Sequence, residues 1–333
     1  MARPNDRRRR AVPGDRSVIA VSARLRRDVV AFDTSSFRMG AASRDGTHRR
    51  GRFTEVALLG LLVVIAVAVN ITKPVHIDDT AYLEIAQAIL RDPWRPLSQR
   101  MNWADTIEPI FNINQPLLVP YAFATVMLAS GSSELALHVF MVIPTMLAIV
   151  FFHRLASIAA PCRATWLTGI FALGPAFLPG QNLMTDVPVI ACWLIAFALL
   201  LRPGEQRGAK GLLGAGGAIG AAVVTKYVSI VLLPIFAAVV LRRGRSLWVY
   251  IAMPIAVLVA WSLFNIADAG AIHLFGRPRP SLSWVGYRDR LIEVVAGLGA
   301  LSPFVLSLLP GANHPWPKGT QAVVVIVAMT TGA

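Results

Sequence analysis

The sequence predicts an all-α integral membrane protein, a polytopic helix bundle with surface helices on an outer loop. Three observations predict it. Of 333 residues, 55% are hydrophobic and only 15% are charged, where a soluble domain carries about 25% charged. From about residue 54 onward, apolar runs of 15 to 22 residues repeat between brief polar breaks; about 20 apolar residues match the hydrocarbon thickness of a bilayer. The basic residues gather in the N-terminal tail and in short loops, as the positive-inside rule describes.

The tail, residues 1–53, holds fourteen Arg and five Asp, so about nine of the fourteen net positive charges sit there. Such a run reads as a disordered cytoplasmic tail that touches anionic lipid. Its position argues against a nucleic-acid arm, and no nucleic-acid partner is expected. No small-residue cleavage site follows the first apolar run, so the tail is no secretory signal. Met39 is an alternative start.

The first span covers about 55–71, entering from the cytoplasm. Residues 72–115 then form a polar outer loop with six acids and four bases. Within it, 79–91 predicts an amphipathic surface helix. Tyr82, Ile85, Ala86, Ile89 and Leu90 fall on its apolar face at helical spacing, and Pro93 and Pro96 end it. The run 116–130 is short and contains Pro120. If it spanned, His153, Arg154, Arg163, Arg202, Arg207 and Lys210 would all face out. The charge rule therefore predicts a membrane-embedded helix that does not span.

Spans follow at about 135–152, 164–180, 187–201, 211–226, 228–241, 247–267 and 290–309, in alternating directions. A second outer loop, 268–289, carries His273, Arg277, Arg279, Trp284 and Tyr287. The final run, 320–333, is short for a span and leaves a truncated C-terminus open. Gly211, Gly214, Gly217 and Gly220 predict a face for close helix packing. Trp103, Trp261 and Trp284 read as interface aromatics, and Glu84 and Glu108 as solvated. Cys162 and Cys192 lie in different settings, so no disulfide is expected. Neither has a metal-ligand partner at suitable spacing.

With this topology, the unusual polar residues gather at one surface. Asp78 and Asp79 follow the first span. Asn114 and Gln115 precede the non-spanning helix. Asp186, within QNLMTDVP, and Lys226 and Tyr227, within VVTKYVS, stand at outer helix ends. Ionisable residues at membrane depth are costly and tend to mark sites. A plainer reading has Asp79 and Asp186 as helix N-caps and Lys226 snorkelling to the interface.

In this order the motifs resemble the GT-C membrane glycosyltransferases, in particular the dolichyl-phosphate-mannose protein mannosyltransferase and aminoarabinose transferase-like group. The resemblance covers about residues 54–310. The family's acidic pair stands here as Asp78-Asp79 in DDTAYL, with Asp79 in place of Glu. The family's His-Pro-Pro-Leu is replaced by Asn114-Gln115-Pro116-Leu117. Its Asp-x-Pro and Thr-Lys elements correspond to Asp186–Pro188 and Thr225-Lys226.

The resemblance implies transfer of a sugar from a polyprenyl-phosphate lipid to an acceptor at the outer face of the cytoplasmic membrane. It implies Asp78 and Asp79 as the catalytic pair, and Lys226, Arg277 and Arg279 at the donor phosphate. Asp186, Asn114, Gln115, Tyr227 and His273 would contact substrate. A divalent metal remains open, with Asp79 and Asp186 as candidate oxygen ligands. The alternative is a non-catalytic transporter or lipid-handling protein, which calls for polar residues near mid-span beside broken helices.

Overall fold

The computed structural model describes residues 45–103, 106–113, 115–175, 177–201 and 209–277, with 286, 288, 291 and 292. Asn114, Arg279, Trp284, Tyr287, most of the tail, the final run and nearly all of 290–309 lie outside the described residues. The chain divides into two units, residues 1–54 and 55–333. The architecture below is that of the second. It is an all-α membrane protein with one small hairpin.

Helix α1, Asp45–Asn70, carries an apolar run from Phe53 to Asn70. Val56, Leu61, Val64 and Val69 are exposed along it, as lipid-facing residues are. Helix α2, Ile77–Arg91, starts at a reciprocal cap. Asp79 Oδ2 accepts the His76 N–H at 2.8 Å, and His76 Nδ1 accepts the Asp78 N–H at 3.4 Å. Tyr82, Ile85, Ala86 and Ile89 are buried as expected, whereas Leu90 is exposed. One residue past Ile89 is a rotation of about 100°, which takes Leu90 off the buried face.

A hairpin that periodicity did not reveal follows. Strands β1, Arg100–Trp103, and β2, Thr106–Pro109, pair antiparallel with Met101 opposite Glu108. Four-residue strands are too short to show alternation. Glu84 Oε1 accepts the Asn102 N–H at 3.1 Å and ties the hairpin to α2; Glu84 is therefore a brace as well as a surface residue.

Helix α3, Leu118–Ser130, is about 20 Å long at 1.5 Å per residue and packs along α2. The Tyr121 hydroxyl donates to the Pro93 carbonyl at 2.6 Å. Helix α4, Glu134–Ala159, opens at the Ser133 N-cap. Its His138, Met141 and Thr145 lie with Val67, Asn70 and Ile71 at the end of α1. Its His153 reaches Glu55 near the beginning of the same apolar run, at 2.6 Å. So α4 runs antiparallel to α1, and α3 does not reverse the chain between them.

Helix α5, Ala164–Leu173, stops seven residues before the expected span ends. Pro175 and Pro179 remove backbone donors there, and an added Cβ at Gly174 would sit 2.4 Å from the Ile170 carbonyl oxygen. Residues 177–185 form a non-helical strap. Asn70 Nδ2 holds the strap at Leu178 O (3.0 Å), and the Lys73 ammonium holds it at Pro179 O (2.7 Å) and Asn182 Oδ1.

The remaining helices are α6, Asp186–Leu200; α7, Ala209–Thr225; α8, Leu232–Arg243; α9, Val249–Ala269; and the single turn α10, His273–Gly276. A 3-10 turn, Tyr227–Val231, takes the place of the start of the expected 228–241 span. Among the described residues, three helices are long and apolar enough to cross a bilayer: Phe53–Asn70, Glu134–Ala159 and Val249–Ala269. Helices α3, α6 and α7 are apolar but shorter.

The α7 glycines divide between two neighbours. Cβ atoms at Gly217 and Gly220 would lie 3.1 Å from Met253 and 3.0 Å from Val257 of α9, while one at Gly214 would meet Leu199 of α6 at 3.0 Å. The expected single face is thus two faces of one tightly packed helix. Both cysteines are free thiols.

Candidate functional site

The reciprocal cap of α2 sets the two aspartates apart. Asp79 turns inward and is 1% exposed; its Oδ1 is buried with no hydrogen-bond partner among the described residues. Burial pushes its carboxyl above the usual carboxylate range, and the hydrogen bond from the His76 backbone offsets this only in part. Asp78 stays exposed on the first turn and lines a cavity of about 280 Å³. Tyr82, Glu108, Asn112, Gln115 and Met184 line it too.

Tyr82 follows Asp78 by one helical turn, so both project from one face. Its hydroxyl stands 3.5 Å from Thr185 Oγ1 on the strap. Burial raises the Tyr82 pKa, and the carboxylates of Asp186, Asp78 and Asp79 raise it further; all three lie near one phenol. Thr185 leads into α6, whose first residue, Asp186, pairs with Lys226 at 2.6 Å. Lys226 follows α7 directly and caps the 3-10 turn Tyr227–Val231. Both side chains keep partial exposure.

A second chain of contacts reaches the same place. His273, completely buried, has Nδ1 2.8 Å from the Tyr227 hydroxyl and Nε2 2.8 Å from the Ile113 carbonyl oxygen. Burial lowers its pKa, so the neutral ring is favoured. Trp261 Nε1 donates to the Tyr227 hydroxyl at 2.8 Å. The Arg277 guanidinium lies 4.9 Å from the Tyr227 ring centroid. Thus the segment ending at Gln115, which walls the cavity, is fastened to the turn that follows Lys226.

Asp78, Gln115, Asp186, Lys226, Tyr227 and Arg277 are therefore brought together at one end of the bundle. Asp79 and His273 are nearby but buried, with protein partners: Asp79 caps α2, and His273 braces two segments rather than facing the cavity. Asn114 and Arg279 lie outside the described residues. Among those residues no group of three or more His, Cys, Asp or Glu is arranged to hold a metal ion. Three participants were missed from sequence. Tyr82 carried a signal, its spacing from the acidic pair. Glu108 reads in sequence as one more solvated acid, and Thr185 as a loop residue.

These features define a helical membrane protein whose carboxylate cavity and ammonium-carboxylate pair share one end of the bundle. Residues 114–266 match the family model described as dolichyl-phosphate-mannose-protein mannosyltransferase. Over that stretch the chain is similar to a family of membrane glycosyltransferases. The matched stretch contains Gln115, Asp186, Lys226 and Tyr227; the aspartate pair precedes it, and His273 and Arg277 follow it. No curated protein sequence matches the chain.

Proposed function

We propose that the chain transfers a sugar from a polyprenyl-phosphate donor to an acceptor hydroxyl at the outer face of the cytoplasmic membrane, with its N-terminus inside. One observation carries this reading: Asp78 in a cavity and Lys226 paired with Asp186, linked through Tyr82 and Thr185. In this reading Asp78 accepts the acceptor's hydroxyl proton. The acceptor oxygen bonds to the anomeric carbon as the bond from that carbon to the phosphate oxygen breaks. Polyprenyl phosphate leaves, its developing charge met by Lys226 and Arg277.

Asp186 aims the Lys226 ammonium, Asp79 fixes the turn that carries Asp78, and His273 with Tyr227 holds Arg277. Gln115, and Asn114 beside it, contact sugar or acceptor. An apolar groove of about 430 Å³, lined by Trp94, Leu118, Tyr121, Val224, Trp261 and Phe264, suits the isoprenoid chain. Trp261 of the groove bonds to the Tyr227 hydroxyl, beside Lys226 in the chain, so a lipid seated there would lie close to the turn that carries the ammonium.

The test is label transfer from a panel of polyprenyl-phosphate sugars to cell-envelope acceptors, with the chain in lipid nanodiscs. Wild type should transfer label from at least one donor. Asp78→Asn and Lys226→Ala should each slow it by about 100-fold or more. Equal labelling by all three proteins overturns the assignment. Separately, cysteine substitutions at Asp186 and Arg154 should react from the outside and the inside respectively; the reverse pattern overturns the orientation.

A further inference from the structure

Glu108 is an acid that the reaction above does not use. It stands on β2 opposite Met101 and lines the same cavity as Asp78. Its carboxylate is oriented from both sides. Oε1 accepts from the Thr106 hydroxyl at 3.2 Å, and Oε2 accepts from Asn112 Nδ2 at 3.3 Å. A side chain fixed in this way presents a set acceptor geometry to whatever occupies the cavity.

The rest of the lining has a consistent chemistry. Asn112 and Gln115 add carboxamides, while Ile85, Met101 and Met184 add apolar wall. Among the described lining residues there is no Lys, Arg or His. At about 280 Å³ the cavity falls just below the range of roughly 300–1,000 Å³ for drug-sized ligands, so its scale is that of one monosaccharide. Two carboxylates and two carboxamides favour a guest rich in hydrogen-bond donors, with apolar wall for the carbon-bound hydrogens of a ring. A guest carboxylate would meet like charge on two sides with no cation among those residues to offset it.

We propose that Glu108, braced by Asn112, is a specificity-determining residue that binds the transferred sugar through its hydroxyl or amino groups and excludes acidic sugars. This rests on the proposed transfer reaction, because the guest is taken to be the donor's sugar.

The test uses the full chain in nanodiscs and measures affinity for four lipids with one polyprenyl chain: the bare phosphate, and its conjugates with a hexose, an amino-hexose and the matching hexuronic acid. The hexose and amino-hexose conjugates should bind more tightly than the bare phosphate, and the hexuronic acid conjugate more weakly than the hexose by roughly tenfold or more. Glu108→Gln should bring that gap within about threefold. Equal wild-type affinity for hexose and hexuronic acid conjugates overturns the proposal, and this arm needs no variant to fold. So does a Glu108→Gln variant that weakens all three conjugates equally. If the bare polyprenyl phosphate also fails to bind, the transfer reading itself falls, and this proposal with it.

Discussion

The two ends of helix α4 handle buried polarity in opposite ways. Near its C-terminus, His153 is saturated. One ring nitrogen meets Glu55 at 2.6 Å, the other Thr168 at 3.0 Å, and Ser157 donates to the His153 carbonyl at 2.8 Å. Near its N-terminus, His138 Nε2 and Gln181 Nε2 are buried with no partner among the described residues, as is Oδ1 of Asp79 beyond them. A saturated network locks α1, α4 and α5 together. An unsaturated one carries a desolvation cost of about 1–3 kcal/mol per group, which evolution tolerates where side chains serve binding or chemistry. The comparison teaches that one end is fastened by its polar groups, while the other, where the proposed site lies, leaves some of its own unpaired.

The sharpest way to break it is Asp78→Asn. An exposed carboxylate that only decorated the surface would leave activity unchanged. A general base should lose about 10²–10⁴-fold in transfer rate, with the melting temperature in nanodiscs unmoved. At the other end, His153→Ala should do the reverse. It removes the partner of Glu55 and one of the two bonds of the Thr168 hydroxyl, which keeps the Ala164 carbonyl, and should lower stability by about 1–3 kcal/mol, measured by denaturant or thermal unfolding. The rate per folded molecule should stay at the wild-type value. A rate loss as large as that of Asp78→Asn would erase the contrast between the ends.

Gly220→Ala probes the rigid bundle between them. Its new Cβ would lie 3.0 Å from Val257 Cγ2 and 3.3 Å from Val257 Cβ. The cost should be about 1–3 kcal/mol of stability from overpacking, read as a lowered melting temperature with unchanged KM.

The smallest effect concerns pH. The folded chain holds the Asp79 proton more tightly than the unfolded chain, because burial raises the carboxyl. Stability from the neutral form is fully present below about pH 4 and is lost as pH rises through the raised value. Asp79→Asn keeps an oxygen to accept the His76 N–H and should flatten that decline in a melting-temperature profile. An identical slope in wild type and variant would show that Asp79 does not titrate in this way. His273 has the opposite sign. Its lowered pKa gives stability present above about pH 6.5 and lost as pH falls through the folded value.

Much of this design was legible in the residue order. Periodicity located α2 to within two residues of its observed start, because an amphipathic surface helix writes its buried face into every third or fourth position. The charge rule placed 116–130 as a helix that does not span, and the antiparallel course of α1 and α4 agrees with it. The early stop of α5 was harder to read, since hydropathy runs on through Phe177 and Leu178 while Pro175 and Pro179 interrupt the hydrogen bonding. The β-hairpin was missed because four-residue strands are held by long-range contacts, Glu84 to Asn102 among them, that no local pattern announces.

The sequence by itself determined that this chain is a helical membrane protein with its acids, amide and lysine at helix ends, because bilayer burial forces apolar residues into long runs and polar ones to their margins. Only the tertiary structure decided which of those ends meet. Asp186 closes on Lys226 forty positions later, and His273 bonds to Ile113 across 160. It also decided that Asp79 and His273 turn inward while Glu108 joins the cavity. Such choices depend on helix packing and on which hydrogen bonds survive desolvation, and both are properties of residues distant in the chain.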